Sequence, residues 1–309
     1  MTERQDTQPW NHNTSSGLDV VEKPPNGNAI PRITVVTPSL NQGRYIEAAI
    51  RSVLDQNYPN LEYIVYDGGS TDETIDVLRR YEHRISRVII KPDDGAADAL
   101  NKAFAIATGD ILAWLNADDL YLPGTLHAIV EAFAANPQAG LIYGEGWYID
   151  EAGVRIEPCR FVRRTFNRRY LVNKDTILQP AAFWQRSVWE QTGSLDTSLR
   201  WVFDWEWFIR AHERTTFHYL PRALACYRVQ PQALTRTGGL ARQLEHGRVT
   251  RRYGAWWHPN HMVQQTRRWD AVGRRLTGNR SSLWATIIRL PFSLPRLAAE
   301  WLLHGMYMR

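Results

Sequence analysis

LEYIVYDGGSTDETIDVLRRYE, residues 61–82, contains one complete strand–turn–helix unit. Leu61–Tyr66 is a short apolar run rich in β-branched and aromatic residues, which predicts a buried strand. Asp67-Gly68-Gly69-Ser70 stops it with turn residues. Thr71–Glu82 then carries Leu78 four positions after Thr74 and acids near its start, as a helix N-terminus favours. The unit repeats on both sides. Upstream, Ile33–Thr37 (ITVVT) predicts a strand, and Asn41–Gln56 predicts a helix through Ile46, Ala49, Ile50, Val53 and Leu54. Downstream come a strand at Arg87–Ile90, a helix over Gly95–Ala107 closed by Gly109, and a strand at Ile111–Leu115 ending in Asn116-Ala117-Asp118-Asp119. A helix over Pro123–Asn136 and a strand opening at Leu141–Tyr143 follow. Strands alternating with helices predict an α/β fold, a mostly parallel sheet flanked by helices on both faces. Ligands of such sheets bind beyond the carboxyl ends of the strands. Asp67 and Asn116–Asp119 are both expected on that rim.

After Ile149 the alternation weakens. Residues 155–170 are basic and partly aromatic, and Arg160, Arg163, Arg164, Arg168 and Arg169 fall within ten positions. They suit either a solvated loop or a contact with a phosphate group. A strand-like Pro180–Trp184, a short helix at Ser187–Thr192 stopped by Gly193, and an aromatic helix at Phe203–Ala211 with Asp204 at its start come next.

The chain has 309 residues and a net charge of +5, which hides a split. Residues 236–309 hold 13 Arg, no Lys and 3 acids, leaving 24 basic and 29 acidic residues before them. The tail alone therefore seeks an anionic surface. The sequence divides into a polar lead-in (1–30) expected to be disordered, an α/β domain (31–235) and a helical basic extension (236–309). Cys159 and Cys226 have no metal-ligand spacing and are expected to be reduced, as in a cytosolic protein. The first ten residues lack the apolar core of a secretory signal, and no stretch has the ~20 apolar residues of a spanning helix. The expected location is the cytoplasm, with the inner face of the membrane as an alternative.

Three groups carry candidate chemistry. Asn116-Ala117-Asp118-Asp119 offers adjacent carboxylates after a strand, suited to a hard divalent cation that bridges diphosphate oxygens. A helix N-cap at Asp119 is the plain alternative. Asp67–Asp72 (DGGSTD) brings glycine backbone close to a planar or phosphorylated ligand, or is a turn capped by Ser70 or Thr71. Asp204-Trp205-Glu206-Trp207 sets an acid among aromatics, as a general base or as a helix cap over a core face. No G-x-G-x-x-G follows any strand, and no nucleophile elbow is present.

Thr37-Pro38-Ser39 with Asn41, Tyr66–Asp72, Asp93-Asp94-Gly95 through Asp98–Lys102, Thr108-Gly109-Asp110 and Leu115–Asp119 occur in the order and spacing of glycosyltransferase family 2, which the chain resembles over roughly residues 32–235. The resemblance implies a GT-A, Rossmann-like fold, a nucleotide-diphosphate sugar donor with uridine as the default base, Mn2+ or Mg2+, and inversion at the anomeric carbon. It implies that Thr37 and Pro38 line the nucleotide and that Asp67 contacts the base. Asp94 lies near base or ribose, and Lys102 belongs to the same donor-binding stretch. Asn116 and Asp118 belong to the donor site, Asp118 and Asp119 to the metal, and Asp204 to the general base. Two positions depart from the family pattern. Asn116 replaces a frequent Asp, and Gln230 stands near the place of a frequent histidine, which leaves the last metal ligand open.

The implied acceptor is a glycan or lipid-linked hydroxyl. Residues 284–309 mix Trp, Leu and Ile with Arg and are broken by Pro291 and Pro295. They suit a membrane interface, a helix packed on the catalytic domain or a homo-oligomer contact, and these three readings stay open. A nucleic-acid partner is not expected, because the basic residues lie on no binding motif. Two other functions compete with the transferase: a non-catalytic nucleotide-sugar-binding relative and a membrane-surface subunit of a polysaccharide assembly.

Overall fold

The computed structural model describes residues 30–231, 233 and 237–254. The predicted lead-in up to residue 29 and the amphipathic segment 284–309 lie outside them. The chain divides into two compact units, Met1–Gly238 and Gly239–Arg309.

In the first unit the expected β–α order holds. The elements are β1 (Ile33–Ser39), α1 (Gly43–Leu54), β2 (Leu61–Asp67), α2 (Thr74–Tyr81), β3 (Arg87–Ile90), α3 (Ala96–Phe104) and β4 (Ile111–Trp114). β5 (Leu120–Tyr121), α4 (Thr125–Ala135), β6 (Ala139–Ile149), β7 (Arg155–Pro158), α5 (Arg168–Asn173), β8 (Ala182–Gln185), α6 (Arg186–Thr192), α7 (Phe203–His212) and β9 (Thr216–Arg228) follow. All seven residues of β1 are buried, as in a strand covered on both faces. Ile46, Ile50 and Val53 of α1 are fully covered, each worth about 1.5–3 kcal/mol relative to exposure. Cys159 and Cys226 are buried and unbridged.

The sheet runs β3-β2-β1-β4-β8-β6-β9-β5, with β7 beside β6. β3, β2, β1 and β4 are all parallel, as the alternation predicted. The rest is mixed: β8 is antiparallel to both β4 and β6, while β6 and β9 run parallel with three register shifts. The sheet is thus less parallel than the sequence suggested. Beyond β4, every pairing except that of β6 with β7 joins strands distant in sequence, and periodicity carries no information about which strands will meet.

An indole stack fixes α7 to the sheet. Trp114, at the end of β4, meets Trp184 of β8 at 5.3 Å between ring centroids, and Trp184 meets Trp207 of α7 at 4.8 Å. All three are fully buried. The indole N–H of Trp207 donates to the Gly193 carbonyl (2.9 Å) and that of Trp205 to the Leu171 carbonyl (2.7 Å), so neither is left unsatisfied. The second unit contains α8 (Gly239–Arg252), with an Arg248–Glu245 pair at 3.7 Å. Among the described residues no helix is long and apolar enough to cross a membrane.

Candidate active site

The carboxyl ends of β1, β2 and β3 lie side by side: Thr37 pairs with Val65, Ser39 with Asp67, and Asp67 with Ile90. Thr37 is fully buried, its hydroxyl 3.0 Å from the Tyr63 hydroxyl, and Pro38 is buried beside it. The loops leaving β1 and β2 are stitched together by side chains. Asp67 is fully buried and accepts the N–H of Gly69 (3.0 Å) and of Ser70 (2.7 Å) on one oxygen and the Ser70 hydroxyl (2.7 Å) on the other. The Asn41 N–H donates to Ser70 (2.7 Å), and the Asn41 side chain accepts the Thr71 N–H (2.9 Å). Asp72 accepts from the N–H of Gly43 (2.9 Å) and of Thr74 (3.0 Å). Neither Ser70 nor Thr71 caps α2; Asp72 does that work one residue outside its N-cap, Glu73. The Ser39 hydroxyl on this rim and the Tyr45 hydroxyl on α1 are buried with no hydrogen-bond partner among the described residues.

The β3–α3 loop supplies a carboxylate, Asp93, that belongs to a sequence motif but had no role assigned from it. Asp93 accepts the Gly95 N–H (2.8 Å), and its other oxygen lies only 2.5 Å from where a Cβ on Gly68 would stand. Gly68 is therefore the space that Asp93 fills. Burial, then the charges of Asp98 and Asp67, raise the Asp93 pKa. Asp94 is exposed, and its N–H donates to Asp98. Lys102 pairs with Asp98 at 2.7 Å and sits 5.9 Å from the centre of the Tyr66 ring.

After β4 the chain places Asn116, Asp118 and Asp119 together. Asn116 donates to Asp119 and to Gln179, both at 3.3 Å, while Gln179 holds the Trp114 carbonyl at 2.8 Å. Asp119 is buried and accepts the Arg228 N–H at 2.9 Å. It is not a helix cap: α4 begins six residues later, after Gly124 in the left-handed region. Asp118 is half-buried, and its carboxylate accepts from the Gln230 amide at 3.1 Å. The residue at the frequent histidine position thus does reach the acidic pair. Burial raises the pKa of Asp118, and burial followed by the Asp118 charge raises that of Asp119 well above the usual range. Among the described residues no group of three or more His, Cys, Asp or Glu is gathered.

Arg228 anchors this loop from β9. Its Nε donates to the Asp118 carbonyl (2.7 Å), and its Nη1 donates to the carbonyls of Asp150 (2.9 Å) and Glu151 (3.0 Å). Its guanidinium lies 4.9 Å from the centre of the Tyr45 ring. Arg228 and Gln179 are separated from the acidic pair by 110 and about 60 positions, too far for local spacing to expose them. The unusual feature of Asp93, a carboxylate facing a glycine, exists only in three dimensions. Asp204 sits half-buried in the first turn of α7, accepting the N–H of Trp205 at 2.7 Å. The indole stack ties its helix to β4.

The family model "Glycosyl transferase family 2" matches residues 34–189, half of the chain. An uncharacterized glycosyltransferase of Nostoc is 35% identical over 115 residues, 36% of each chain, so the match spans about a third of that relative. A PGL/p-HBAD biosynthesis glycosyltransferase of Mycobacterium tuberculosis is 29% identical over 194 residues, covering 59% of this chain and 70% of its own. The putative teichuronic acid biosynthesis glycosyltransferase TuaG of Bacillus subtilis is 42% identical over 104 residues, 33% of this chain and 41% of its own. Among solved structures, S. aureus TarS 1–349 with UDP superposes at TM-score 0.56 and 16% identity, over 87% of this chain and 88% of that one. The mannosyltransferase PcManGT of Pyrobaculum calidifontis, bound to GDP-Man and Mn2+, superposes at 0.52 and 19% identity, over 89% and 70%. The fold is GT-A, and the chain belongs to glycosyltransferase family 2.

Proposed function

We propose that the chain moves a sugar from a nucleoside diphosphate, with UDP the expected carrier, to a hydroxyl of a glycan or lipid-linked acceptor, with inversion. The observation that carries this reading is the half-buried Asp118 carboxylate beside Asp119 at the end of β4, backed by Gln230. The donor set suits a hard divalent cation such as Mn2+ or Mg2+, which takes carboxylate and amide oxygens. Asp118 and Asp119 would hold it, and the Gln230 amide can present its oxygen instead of its NH2 by a half-turn. Bound there with a diphosphate, such a cation offsets charge on the departing nucleoside diphosphate.

The remaining roles belong to side chains. The stitched loops at Thr37, Pro38 and Asp67 form the nucleotide platform. Because the Asp67 oxygens are occupied by their own turn, we assign the base-facing carboxylate to Asp93, with Asp94 and Lys102 on the ribose and phosphate side. Asn116 keeps the Asp119 carboxylate oriented. Asp204 takes the proton from the acceptor hydroxyl as it attacks from the face opposite the leaving group. Residues 31–235 form the catalytic domain, followed by the basic extension 236–309. A part in polysaccharide synthesis fits the name of TuaG, a putative teichuronic acid biosynthesis glycosyltransferase.

The test is binding of UDP, GDP and dTDP, each with and without Mn2+, followed by turnover of the matching nucleotide sugars. Cation-dependent binding of one nucleoside diphosphate, with turnover, is the expected result. Binding without turnover under any cation would favour the non-catalytic reading that Asn116 and Gln230 raise. No binding of any nucleotide would sink the donor site.

A further inference from the structure

Residues 160–169, RFVRRTFNRR, hold five arginines and no acid. A solvated loop would leave them mobile or pair them with carboxylates of the fold. The structure does neither. The backbone is pinned: the Tyr143 hydroxyl donates to the carbonyls of Arg163 (2.6 Å) and Arg164 (3.2 Å), and Phe166 is wedged against Tyr143, His212 and Phe217. Asn167 closes the segment by accepting the Tyr170 N–H at 2.8 Å. On this frame only Arg168 has an acid, Glu213 at 2.6 Å. Arg160, Arg163, Arg164 and Arg169 are exposed, and among the described residues none of them is paired with a carboxylate. Two lie over aromatic rings, Arg163 on Tyr170 at 5.1 Å and Arg164 on Tyr219 at 5.7 Å. Arg164 also bonds the Tyr219 hydroxyl, which donates to Glu145.

Among the described residues no carboxylate faces Arg160, Arg163 or Arg169, and Arg164 reaches Glu145 only through the Tyr219 hydroxyl, so the segment carries an excess of positive charge. The partner that offsets it is external and anionic. A single carboxylate saturates one guanidinium fork, whereas a phosphoryl group offers three strong acceptor oxygens to several. The segment also continues into α5, whose Leu171 carbonyl receives the indole N–H of Trp205, the residue after Asp204. The arginines are thus tied to the helix of the proposed base.

We infer that residues 160–169 are an acceptor-side subsite for a phosphoryl group, so that the acceptor is a phosphate-bearing molecule. The inference rests on the transferase reading above and names the acceptor class for it. Glycerol 1-phosphate presents a phosphoryl group as a monoester in solution, and phosphatidylglycerol vesicles present it as a diester on a lipid surface.

The experiment titrates the full chain and its Arg163→Gln/Arg164→Gln variant with glycerol 1-phosphate, and sediments both with phosphatidylglycerol vesicles against phosphatidylcholine vesicles. UDP binding is measured on the same proteins. Two exposed arginines at about fivefold each give an expected loss of about 25-fold, with the UDP affinity of the variant unchanged. A loss on vesicles alone assigns the phosphate to a lipid surface, and a loss on both probes assigns it to the group itself. Equal binding by wild type and variant overturns the subsite, as does failure of the wild type to bind either probe. Polyglutamate binding as tight as phosphate binding removes the phosphate preference. Loss of UDP binding by the wild type instead would strike the donor site, a separate failure.

Discussion

The turn after β2 and the turn after β4 each carry two acids on the same rim, and the fold treats them in opposite ways. At the first, Asp67 and Asp72 spend their oxygens on the N–H groups of Gly69, Ser70, Gly43 and Thr74. Against the desolvation that would raise it, these bonds and the Thr74 hydroxyl hold the Asp72 carboxyl below its usual range. At the second, burial dominates, and the Asp118 and Asp119 pKa values rise. Carboxylates saturated by backbone build a frame. Carboxylates kept costly in their charged form stand ready for a partner that supplies positive charge.

The largest test of that contrast lies just off the rim. Asp204→Asn is expected to lower transfer about 10²–10⁴-fold with nucleotide affinity and melting temperature intact. Full activity in that variant removes Asp204 as the base. Asp118→Asn should cut turnover at least about 100-fold and abolish the cation's effect on nucleotide binding, while the melting temperature of the metal-free protein holds or rises. A melting temperature that falls as far as it does in Asp72→Asn would erase the distinction between the two turns.

Arg228 offers a finer probe. Arg228→Lys keeps the charge but not the fork that reaches the carbonyls of Asp118, Asp150 and Glu151, so Mn2+ affinity is expected to fall about 10–100-fold. Titration of nucleotide-bound protein with Mn2+ checks this, and an affinity within twofold of wild type would mean that the loop holds its own shape.

The smallest effect is a matter of pH. Glu62 of β2 is buried, and despite its desolvation the Thr34 hydroxyl (2.6 Å), the Thr108 N–H (2.6 Å) and Arg32 (3.5 Å) hold its pKa below the ordinary value. A depressed carboxylate stabilises the fold above its unfolded pKa of about 4.3 and loses that contribution as pH falls through the folded value. Glu62→Gln should therefore cost about 1–3 kcal/mol at neutral pH and flatten the acid limb of the stability curve. Denaturant unfolding at pH 7 and at acid pH reads both. An unchanged acid limb would assign acid sensitivity elsewhere.

The parallel half was legible because each of its strands is followed by its own covering helix, and both periods are written in consecutive residues. Leu61–Asp67 and Ile111–Trp114 end within one residue of their expected limits for that reason. Asp118 and Asp119 were legible as an acidic pair after a buried strand. Their surroundings were not, since Gln179, Arg228 and Gln230 arrive from strands and turns far along the chain.

By itself, then, the sequence determined the alternating β–α half, the rim on which Asp67, Asp118 and Asp119 lie, and the family. Only the tertiary structure decided that Asp67 is consumed by its own turn and that Asp93 fills the space above Gly68. It also decided that Arg228 anchors the acidic loop and that, among the described residues, four of the five arginines have no direct acid partner. The physical reason is range. Periodicity and turn chemistry act over a few residues, whereas hydrogen-bond saturation, desolvation and charge balance are set by whatever the folded chain brings within a few ångströms.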